Sequence, residues 1–335
     1  MQDEIATRTR MRPADAAAIA DASARLRAGG LVAFPTETVY GLGAAATNGD
    51  AVARLFAAKG RPTFNPLIAH VKDVEAARAL GRFDAMAEKL AAAFWPGPLT
   101  LVLPKAPTCT VSELATAGLD TIAIRVPSHP VALALLHACG HPVAAPSANR
   151  SGHVSPTLAA HVRADLEGRI DLILDGGPTN LGLESTVVAC LGDAAHLLRP
   201  GGLAREHIER LLGRPLAHDN GFDAGSDGDA PLAPGMLPSH YAPKTRLRMN
   251  AMTVQPGEAL LAFGPALADG FEKAVAIATL SRSGDLVEAA AQLFAQLRML
   301  DAVGAATIAV MPVPFEGLGE AINDRLRRAA AQRTC

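Results

Sequence analysis

The chain has 335 residues, of which 49% are hydrophobic and 19% are charged, and its formal net charge is −2. This composition is typical of a globular protein with one or two domains, and it excludes a disordered chain. The near-neutral charge gives no overall electrostatic reason to bind nucleic acid or a membrane, although a local basic site stays compatible with it.

The cysteines and the first residues bear on the cellular compartment. The four cysteines are widely spaced and form no C-x-x-C pair, which argues against a zinc site or a disulfide framework. The segment MQDEIATRTRMRPADAA lacks the apolar core of a signal peptide, and no run approaches the ~18 apolar residues of a membrane span. We therefore expect a soluble, cytoplasmic protein with no membrane partner.

The first two hundred residues alternate segments that are typical of helices and of strands. The helix over 14–28 ends at Gly29-Gly30, and Asp50 is the predicted N-cap of the next helix. Predicted helices cover 14–28, 50–59, 74–80, 86–94, 129–139 and 158–166. Predicted strands cover 31–34, 67–71, 100–103, 121–126, 143–145, 172–174 and 186–190. The pattern predicts a mixed α/β fold.

A change of composition divides the chain. Residues 213–245 are rich in Gly, Asp and Pro with almost no periodicity, which predicts a linker. Predicted strands over 259–263, 274–280 and 307–311 follow, with helices over 286–300 and 318–331. We expect a first domain over residues 1–212, the linker, and a smaller α/β domain over residues 246–335.

Residues 41–46, GLGAAA, match the glycine pattern of a dinucleotide-binding turn, but their surroundings disfavour that function. The preceding strand ends near Phe34, so six residues separate it from the first glycine, and the basic Lys59 stands about where an acidic residue binds the ribose. A Walker A pattern is absent. We interpret 41–46 as a small-residue turn beside a cleft into which polar side chains of 36–40 can point.

Four cations occur in contexts that suit an anion. Lys59 and Arg61 flank a helix end that is followed by two prolines, and a rigid pair of cations fits a polyphosphate, although such pairs are usually solvated. Arg125 interrupts an apolar strand, so a carboxylate ligand and a structural salt bridge are about equally expected. Arg199 precedes a Pro-Gly-Gly break.

Two hydroxyl-rich segments follow predicted strands, SANRSGHVSPT over 147–157 and the segment around Glu184-Ser185-Thr186. Such loops can bind phosphates through backbone N–H groups and hydroxyls, although Ser155 or Thr157 could instead be a helix N-cap. No G-x-S-x-G serine hydrolase motif is present. Together with the four cations, these loops indicate phosphoryl or nucleotidyl transfer by positioning and charge stabilisation.

The ordered motifs PTETVYGLG, KGRPTFNPL, SANRSGHVSPT, DGGPTNLGLESTVV and LRPG resemble the YrdC-type threonylcarbamoyl-AMP synthases. The likeness spans about residues 14–205, and the segments APGMLPSHYAPK and FEGLGEAINDRLRRAA resemble the long, two-domain form. The resemblance implies a twisted mixed sheet with a basic anion-binding cavity, followed by a small Rossmann-like domain. It also implies that the linker reaches back over the active site.

The resemblance also assigns substrate positions. It implies catalytic roles for Lys59 and Arg61. L-Threonine is expected at Thr38, His70, Arg125, Ala145 and Ser185, with Arg125 holding the carboxylate. ATP is expected at Lys59, Arg61, Asn65, Thr121, Ser147, Ser155, Arg199 and Tyr241. No protein-held metal is implied, because Mg²⁺ arrives with ATP.

The implied reaction converts L-threonine, bicarbonate and ATP to threonylcarbamoyl-AMP and pyrophosphate. The product would pass to a threonylcarbamoyl transferase complex for the t6A modification of tRNA, and weak tRNA binding by the synthase is compatible with the sequence. The main alternative is a non-catalytic YrdC-like module that binds RNA or a nucleotide. A carbamoyl-phosphate-using maturation enzyme is less favoured, because its zinc-finger cysteines and acylphosphatase segment are absent.

Overall fold

The structure, a computed structural model, describes residues 8–217 and 241–331. Its larger sheet has ten strands in the order β1-β8-β2-β3-β7-β4-β6-β5-β9-β10 and mixes parallel with antiparallel pairs. The strands β1 to β10 cover, in chain order, Arg10–Pro13, Val32–Pro35, Tyr40–Ala45, Ile68–His70, Leu99–Pro104, Thr121–Arg125, Val143–Ala144, Leu172–Asp175, Thr186–Cys190 and Ala195–Arg199. The expected mixed α/β fold is confirmed.

Eight helices accompany this sheet within the described residues. The helices α1 to α8 cover Ala16–Arg27, Gly49–Lys59, Val74–Arg78, Ala85–Phe94, Glu113–Thr116, Pro130–Cys139, Ala159–Leu166 and Arg205–Leu212. All six helices predicted in this region are present, with ends that differ by a few residues. The short helix α5 and the helix α8 were not predicted.

The predicted cap of α2 is wrong, and the cap considered as an alternative at Ser155 or Thr157 is not formed. Asn48, not Asp50, caps α2, because its side chain accepts from the backbone N–H groups of Asp50 and Ala51. Helix α7 begins after Leu158 and has no side-chain cap, so neither Ser155 nor Thr157 caps it. The Ser155 hydroxyl is instead hydrogen bonded to the carboxylate of Glu184.

The segment around Gly41 is a strand rather than the expected turn. Strand β3 pairs antiparallel with β2, and Gly43 lies opposite Val32. A Cβ atom on Gly43 would lie 2.9 Å from the Phe34 ring and 3.0 Å from the Val143 side chain. The glycine therefore allows close packing inside a sheet, which propensity alone does not predict.

The second sheet has four parallel strands in the order β11-β14-β12-β13. The strands β11 to β14 cover Arg246–Arg248, Glu258–Ala262, Ile277–Thr279 and Thr307–Val310, with a 3₁₀ helix at Phe271–Lys273. The helices α9 and α10 cover Leu286–Val303 and Leu318–Ala330. The parallel sheet with its helices matches the expected Rossmann-like arrangement. The strands β1, β10 and β11 were not predicted. The strands β1 and β11 are short and basic, so they lack the apolar pattern of a strand.

The positions of the domain boundaries stay a prediction. Helix α8 ends at Gly213, where the predicted linker begins, but residues 218–240 of that linker lie outside the described residues. No helix among residues 8–217 and 241–331 is long and apolar enough to cross a membrane.

The two faces of the large sheet differ, and this difference positions the site. On β6, Ile122 and Ile124 face the main apolar core, whereas Ala123 packs in a small cluster on the opposite face with Ile68 and Val102. Because side chains alternate along a strand, Arg125 points to the same face as Ala123. His70 is the register partner of Arg125 on β4.

Candidate active site

Arg125 is the centre of one end of the candidate site. Its Nη2 donates to Glu37 Oε1 at 2.5 Å, its Nη1 donates to Thr38 Oγ1 at 2.9 Å, and its Nε donates to the Gly97 carbonyl at 3.3 Å. Burial acts to raise the pKa of Glu37, but the charge and hydrogen bond of Arg125 and the Ser128 amide hold that pKa below its usual value. Arg125 therefore makes the structural salt bridge that the sequence left open.

That salt bridge does not use all the donors of Arg125. Three of the five N–H groups of the guanidinium are engaged by described residues. The two remaining N–H groups lie on Nη1 and Nη2, which matches the number that a bidentate carboxylate needs. The salt bridge and the carboxylate ligand are thus compatible with each other.

His70 is a neutral histidine at this end. It is 2% exposed, and burial together with the neighbouring Arg125 charge lowers its pKa to about 3. Its Nδ1 lies 3.2 Å from the Ile68 carbonyl, which only accepts, so Nδ1 carries the hydrogen. Nε2 is consequently a hydrogen-bond acceptor.

The other predicted threonine positions lie beside these residues. The Ala145 amide donates to the Ile68 carbonyl at 3.0 Å, which fixes Ala145 next to β4. The Ser185 hydroxyl lies 2.7 Å from the hydroxyl of Thr100. Leu101 is the register partner of Ile124, so the antiparallel pairing of β5 and β6, continued by one residue, brings Thr100 opposite Arg125. The structure therefore brings together all five predicted threonine residues.

Lys59 lies at the end of α2 and is 3% exposed. Its Nζ donates to the carbonyl oxygens of Ser147 and Asn149, each at 2.5 Å. Burial, followed by the charge of Arg61, brings the pKa of Lys59 well below its usual value. No carboxylate of the described chain lies within ion-pair distance of this lysine.

Arg61 has similar surroundings. It is 8% exposed, and it donates to the carbonyl oxygens of Asn65 at 3.3 Å and Pro66 at 3.1 Å. Burial is the main cause that lowers the pKa of Arg61 to about 10; Tyr241 opposes the shift and the Arg199 charge adds to it. Lys59 and Arg61 are thus buried cations held by main-chain carbonyls.

Ser147, Ser155 and Arg199 complete this second end. The Ser147 hydroxyl donates to Asn149 Oδ1 at 2.5 Å, so it belongs to the loop that holds Lys59. The Ser155 hydroxyl donates to Glu184 Oε1 at 2.5 Å. Arg199 Nη2 donates to the Ser185 carbonyl at 2.9 Å, which connects the predicted ATP and threonine residues.

Tyr241 is buried between the two domains. Its ring stacks on Phe294 of α9 with the centroids 5.7 Å apart, and Arg325 lies 5.0 Å from the Tyr241 centroid. Its φ of 62° is unusual for a bulky residue. The charges of Arg61 and Arg199 both interact with the Tyr241 side chain. The predicted linker tyrosine therefore lies at the basic end of the site.

Thr121 is the predicted ATP residue that stands apart. It begins β6 whereas Arg125 ends it, so the two lie roughly 13 Å apart along the strand. Its Oγ1 is buried without a hydrogen-bond partner among the described residues, and so is Asn65 Oδ1. The apolar cluster of Ile68, Val102 and Ala123 separates Thr121 from Arg125.

Sequence reasoning missed several residues that shape the site. Glu37 and Glu184 were noted only as polar residues within motifs, although each makes a buried ion pair. Thr100 looked like an ordinary strand residue. Arg325 lies in an amphipathic helix with nothing local to distinguish it from surface arginines, yet it is 0% exposed.

No group of three or more His, Cys, Asp or Glu side chains among residues 8–217 and 241–331 could hold a metal ion.

Two family models cover most of the chain. Residues 24–201 match the Sua5/YciO/YrdC family model, described as "Telomere recombination", and residues 203–331 match "Threonylcarbamoyl-AMP synthase, C-terminal domain". A Bacillus subtilis (strain 168) protein named threonylcarbamoyl-AMP synthase is 44% identical over 327 residues, which cover 94% of this chain and 93% of that one. The chain belongs to the threonylcarbamoyl-AMP synthase family.

Further relatives extend this result to the archaea and to a solved structure. The threonylcarbamoyl-AMP synthase of Pyrococcus abyssi (strain GE5 / Orsay) is 44% identical over 325 residues, which cover 92% of each chain. The crystal structure of P. abyssi Sua5 complexed with L-threonine superposes with a TM-score of 0.85 at 40% identity, covering 97% of each chain. The family and fold expected from the motifs are confirmed, whereas the individual residue roles stay predictions.

Proposed function

We propose that the chain catalyses the synthesis of threonylcarbamoyl-AMP from L-threonine, bicarbonate and ATP, with release of pyrophosphate. In this proposal it is a nucleotidyltransferase, because the AMP group of ATP moves to a new oxygen acceptor. The observation that carries the proposal is the juxtaposition of two ends of different charge. One end has a charge-compensated arginine, and the other has buried cations held by carbonyls.

The Arg125 end supports binding of L-threonine. The two remaining N–H groups of Arg125 would hold the carboxylate, and Thr38 and Glu37 fix the plane of the guanidinium. The neutral His70 offers Nε2 as an acceptor for the ammonium or hydroxyl group. A zwitterionic amino acid suits an end whose own charges are nearly balanced.

The Lys59 end supports binding of the triphosphate. Burying a cation away from carboxylates is costly, and a polyphosphate would compensate the charges of Lys59 and Arg61. The orphan polar atoms of Asn65 and Thr121 are further candidate ATP contacts. We place the nucleoside along the apolar cluster towards Thr121 and the phosphates near Lys59.

Two chemical steps account for the reaction. Bicarbonate yields CO2 by loss of hydroxide, and the threonine ammonium group loses one proton to bulk solvent. The neutral amine then attacks the CO2 carbon: the N–C bond forms, one C=O electron pair moves to oxygen, and the second amine proton combines with the hydroxide as water, which gives N-carboxy-threonine. An oxygen of this new carboxylate then attacks the α-phosphorus of ATP. The O–P bond forms, the bond from the α-phosphorus to the bridging oxygen breaks, and pyrophosphate leaves with the electron pair.

The side chains contribute position and charge rather than proton transfer. Arg125 and His70 hold threonine, while Lys59, Arg61 and Arg199 bind the phosphates as negative charge moves to the leaving group. Mg²⁺ enters as the Mg–ATP substrate. The low pKa of His70 leaves its Nε2 unprotonated near neutral pH, so this nitrogen does not act as a general acid.

The unstable product requires an acceptor. We propose that it passes to a threonylcarbamoyl transferase complex that modifies tRNA, in the cytoplasm, and that any contact of the synthase with tRNA is weak. The near-neutral net charge of −2 supports a weak rather than a strong interaction with RNA.

The test measures pyrophosphate release by the purified chain with Mg–ATP, in the presence and absence of L-threonine and bicarbonate. ¹³C-labelled bicarbonate provides a second readout, because the label should appear in the adenylate product by mass spectrometry. Release that needs both co-substrates, with incorporation of the label, is expected. The Lys59→Met variant is the inactive control, and Lys72→Met is the matched variant at a half-exposed lysine.

The alternative function, passive binding of a nucleotide or RNA, gives a different result. It predicts ATP binding without pyrophosphate release, or release that is indifferent to threonine. Either result would overturn the proposed synthesis.

A further inference from the structure

Helix α10 of the second domain places one arginine against the first domain. Arg325 is 0% exposed, and its Nε donates to Glu184 Oε2 at 2.8 Å. Its Nη2 donates to the Pro200 carbonyl at 2.9 Å, and its Nη1 donates to Asp324 Oδ2. A single guanidinium therefore holds two separate segments of the first domain.

Both segments carry predicted substrate residues. Glu184 directly precedes Ser185, and Pro200 directly follows Arg199. The segments also pack tightly on each other, because a Cβ atom on Gly201 would lie 2.4 Å from the Glu184 carbonyl oxygen. Arg325 contacts both segments where they meet, beside the predicted ATP residue Arg199 and, through Glu184, beside the predicted ATP residue Ser155.

Glu184 transmits the contact to Ser155. Its Oε2 accepts from Arg325, while its Oε1 accepts from the Ser155 hydroxyl. Burial acts to raise the pKa of Glu184, but the charges of Arg325 and then Arg199, with the hydrogen bonds, hold it below its usual value. The carboxylate is therefore an anionic acceptor whose orientation Arg325 fixes.

Tyr241 is the third residue that Arg325 contacts. The guanidinium carbon lies 5.0 Å from the Tyr241 ring centroid, on a ring that also stacks on Phe294. The positive φ of Tyr241 is an unfavourable conformation that surrounding contacts must maintain. Arg325 and Phe294 supply such contacts from the second domain.

Stability alone gives little reason for a buried ion pair, because well-packed apolar residues of similar volume are often at least as stabilising. A second ion pair also connects the two domains. Arg205 of α8 bonds Glu320 of α10, with Nε 3.1 Å from Oε2, and Glu320 is not a predicted substrate residue. Arg325 differs from Arg205 because its partner Glu184 bonds Ser155 and its partner Pro200 adjoins Arg199.

We propose that Arg325 is a positioning residue for ATP: through Glu184, Pro200 and Tyr241 it fixes Ser155, Arg199 and the linker tyrosine in the geometry that binds the nucleotide. This inference rests on the proposed function, and it extends the ATP-binding site to the last helix of the second domain.

The test compares Arg325→Lys with the matched control Arg205→Lys in the full chain. Lysine keeps the charge but loses the planar fork, so we expect KM for ATP to rise about tenfold with kcat and KM for threonine within about twofold. Arg205→Lys should keep the wild-type KM for ATP. An unchanged KM in Arg325→Lys, or equal effects in the two variants, would overturn the proposal.

Calorimetric ATP binding without threonine separates this inference from the proposed function. A wild-type chain that binds ATP but makes no product would refute the synthesis, while the loss of ATP affinity in Arg325→Lys would still test the positioning role. If Arg325→Lys does not fold, the double variant Arg325→Met/Glu184→Gln removes both buried charges at similar volume. We expect it to bind ATP about tenfold more weakly, and wild-type affinity would contradict the role.

Discussion

The two ends of the candidate site stabilise their buried cations in different ways. At one end Arg125 has an internal counter-charge in Glu37. At the other end Lys59 and Arg61 are held by carbonyl dipoles, and no carboxylate of the described residues forms an ion pair with either. A neutralised cation suits a ligand with no net charge, and uncompensated cations suit a polyanion, so this charge distribution supports the proposal that threonine binds at the first end and ATP at the second.

Removing a charge at the uncompensated end should have the largest effect. Lys59→Met deletes a buried donor close to the expected phosphates, so we expect kcat/KM for ATP to fall about 100-fold or more. Steady-state pyrophosphate release measures it. Lys72→Met, at a half-exposed lysine 3.7 Å from Asp73, should leave the value unchanged. Near wild-type turnover in Lys59→Met would remove the assigned role.

A substitution of Arg125, at the compensated end, should change the KM for threonine rather than the KM for ATP. Arg125→Lys keeps the ion pair with Glu37 possible but loses the two-pronged contact, so KM for threonine should rise about 30-fold while KM for ATP changes little. Arg78→Lys is the control, because Arg78 makes a two-pronged pair with Glu88 on the surface, at 2.9 and 2.8 Å. An equal rise in both KM values would show that the two ends are not independent.

Acid stability tests the neutral state of His70. The unfolded state binds a proton near pH 6.5, whereas the folded pKa is about 3, so the stability present above pH 6.5 is lost as pH falls towards 3. One such proton lowers the free energy of unfolding by up to about 1.4 kcal/mol per pH unit. His70→Asn should reduce this dependence in urea unfolding between pH 7 and 4.5. His137→Asn, at an exposed helical site, should keep it.

The sequence predicted individual residues of the site better than their partners. Apolar runs and caps determine where strands and helices occur, and Lys59, Arg61 and Arg125 were conspicuous as cations in unusual contexts. The pairing of Arg125 with Glu37 joins positions 88 residues apart, and the contact of Arg325 with Glu184 spans 141. Such contacts depend on how strands and domains assemble, which no local pattern records.

The misread segments have a similar cause. Residues 40–45 contain glycines and alanines with low strand propensity, yet they form a strand because they pair with β2 on one side and β7 on the other. Phe34 and Val143 leave no room for a larger side chain at Gly43. A helix cap was the alternative considered for Ser155, but a carboxylate 29 residues away accepts from its hydroxyl. In both cases tertiary contacts outweighed the local preference.

The substitution with the smallest expected effect is at Thr121, and it tests the end of the proposed nucleotide site that lies away from Lys59. The buried Thr121 hydroxyl has no partner among the described residues, so Thr121→Val should leave the free energy of unfolding unchanged or raise it by up to about 1 kcal/mol. If the hydroxyl binds ATP, the same substitution should raise KM for ATP about fivefold and leave KM for threonine unchanged.

Thr116→Val is the matched control for that experiment. Thr116 is 2% exposed, and its Oγ1 donates to the Glu113 carbonyl at 3.2 Å. Its replacement should lower the free energy of unfolding by about 1 kcal/mol with no change in either KM. Opposite signs in stability, with an ATP effect confined to Thr121, would identify the orphan hydroxyl as a nucleotide contact. Unchanged KM values in both variants would restrict ATP to the cationic end.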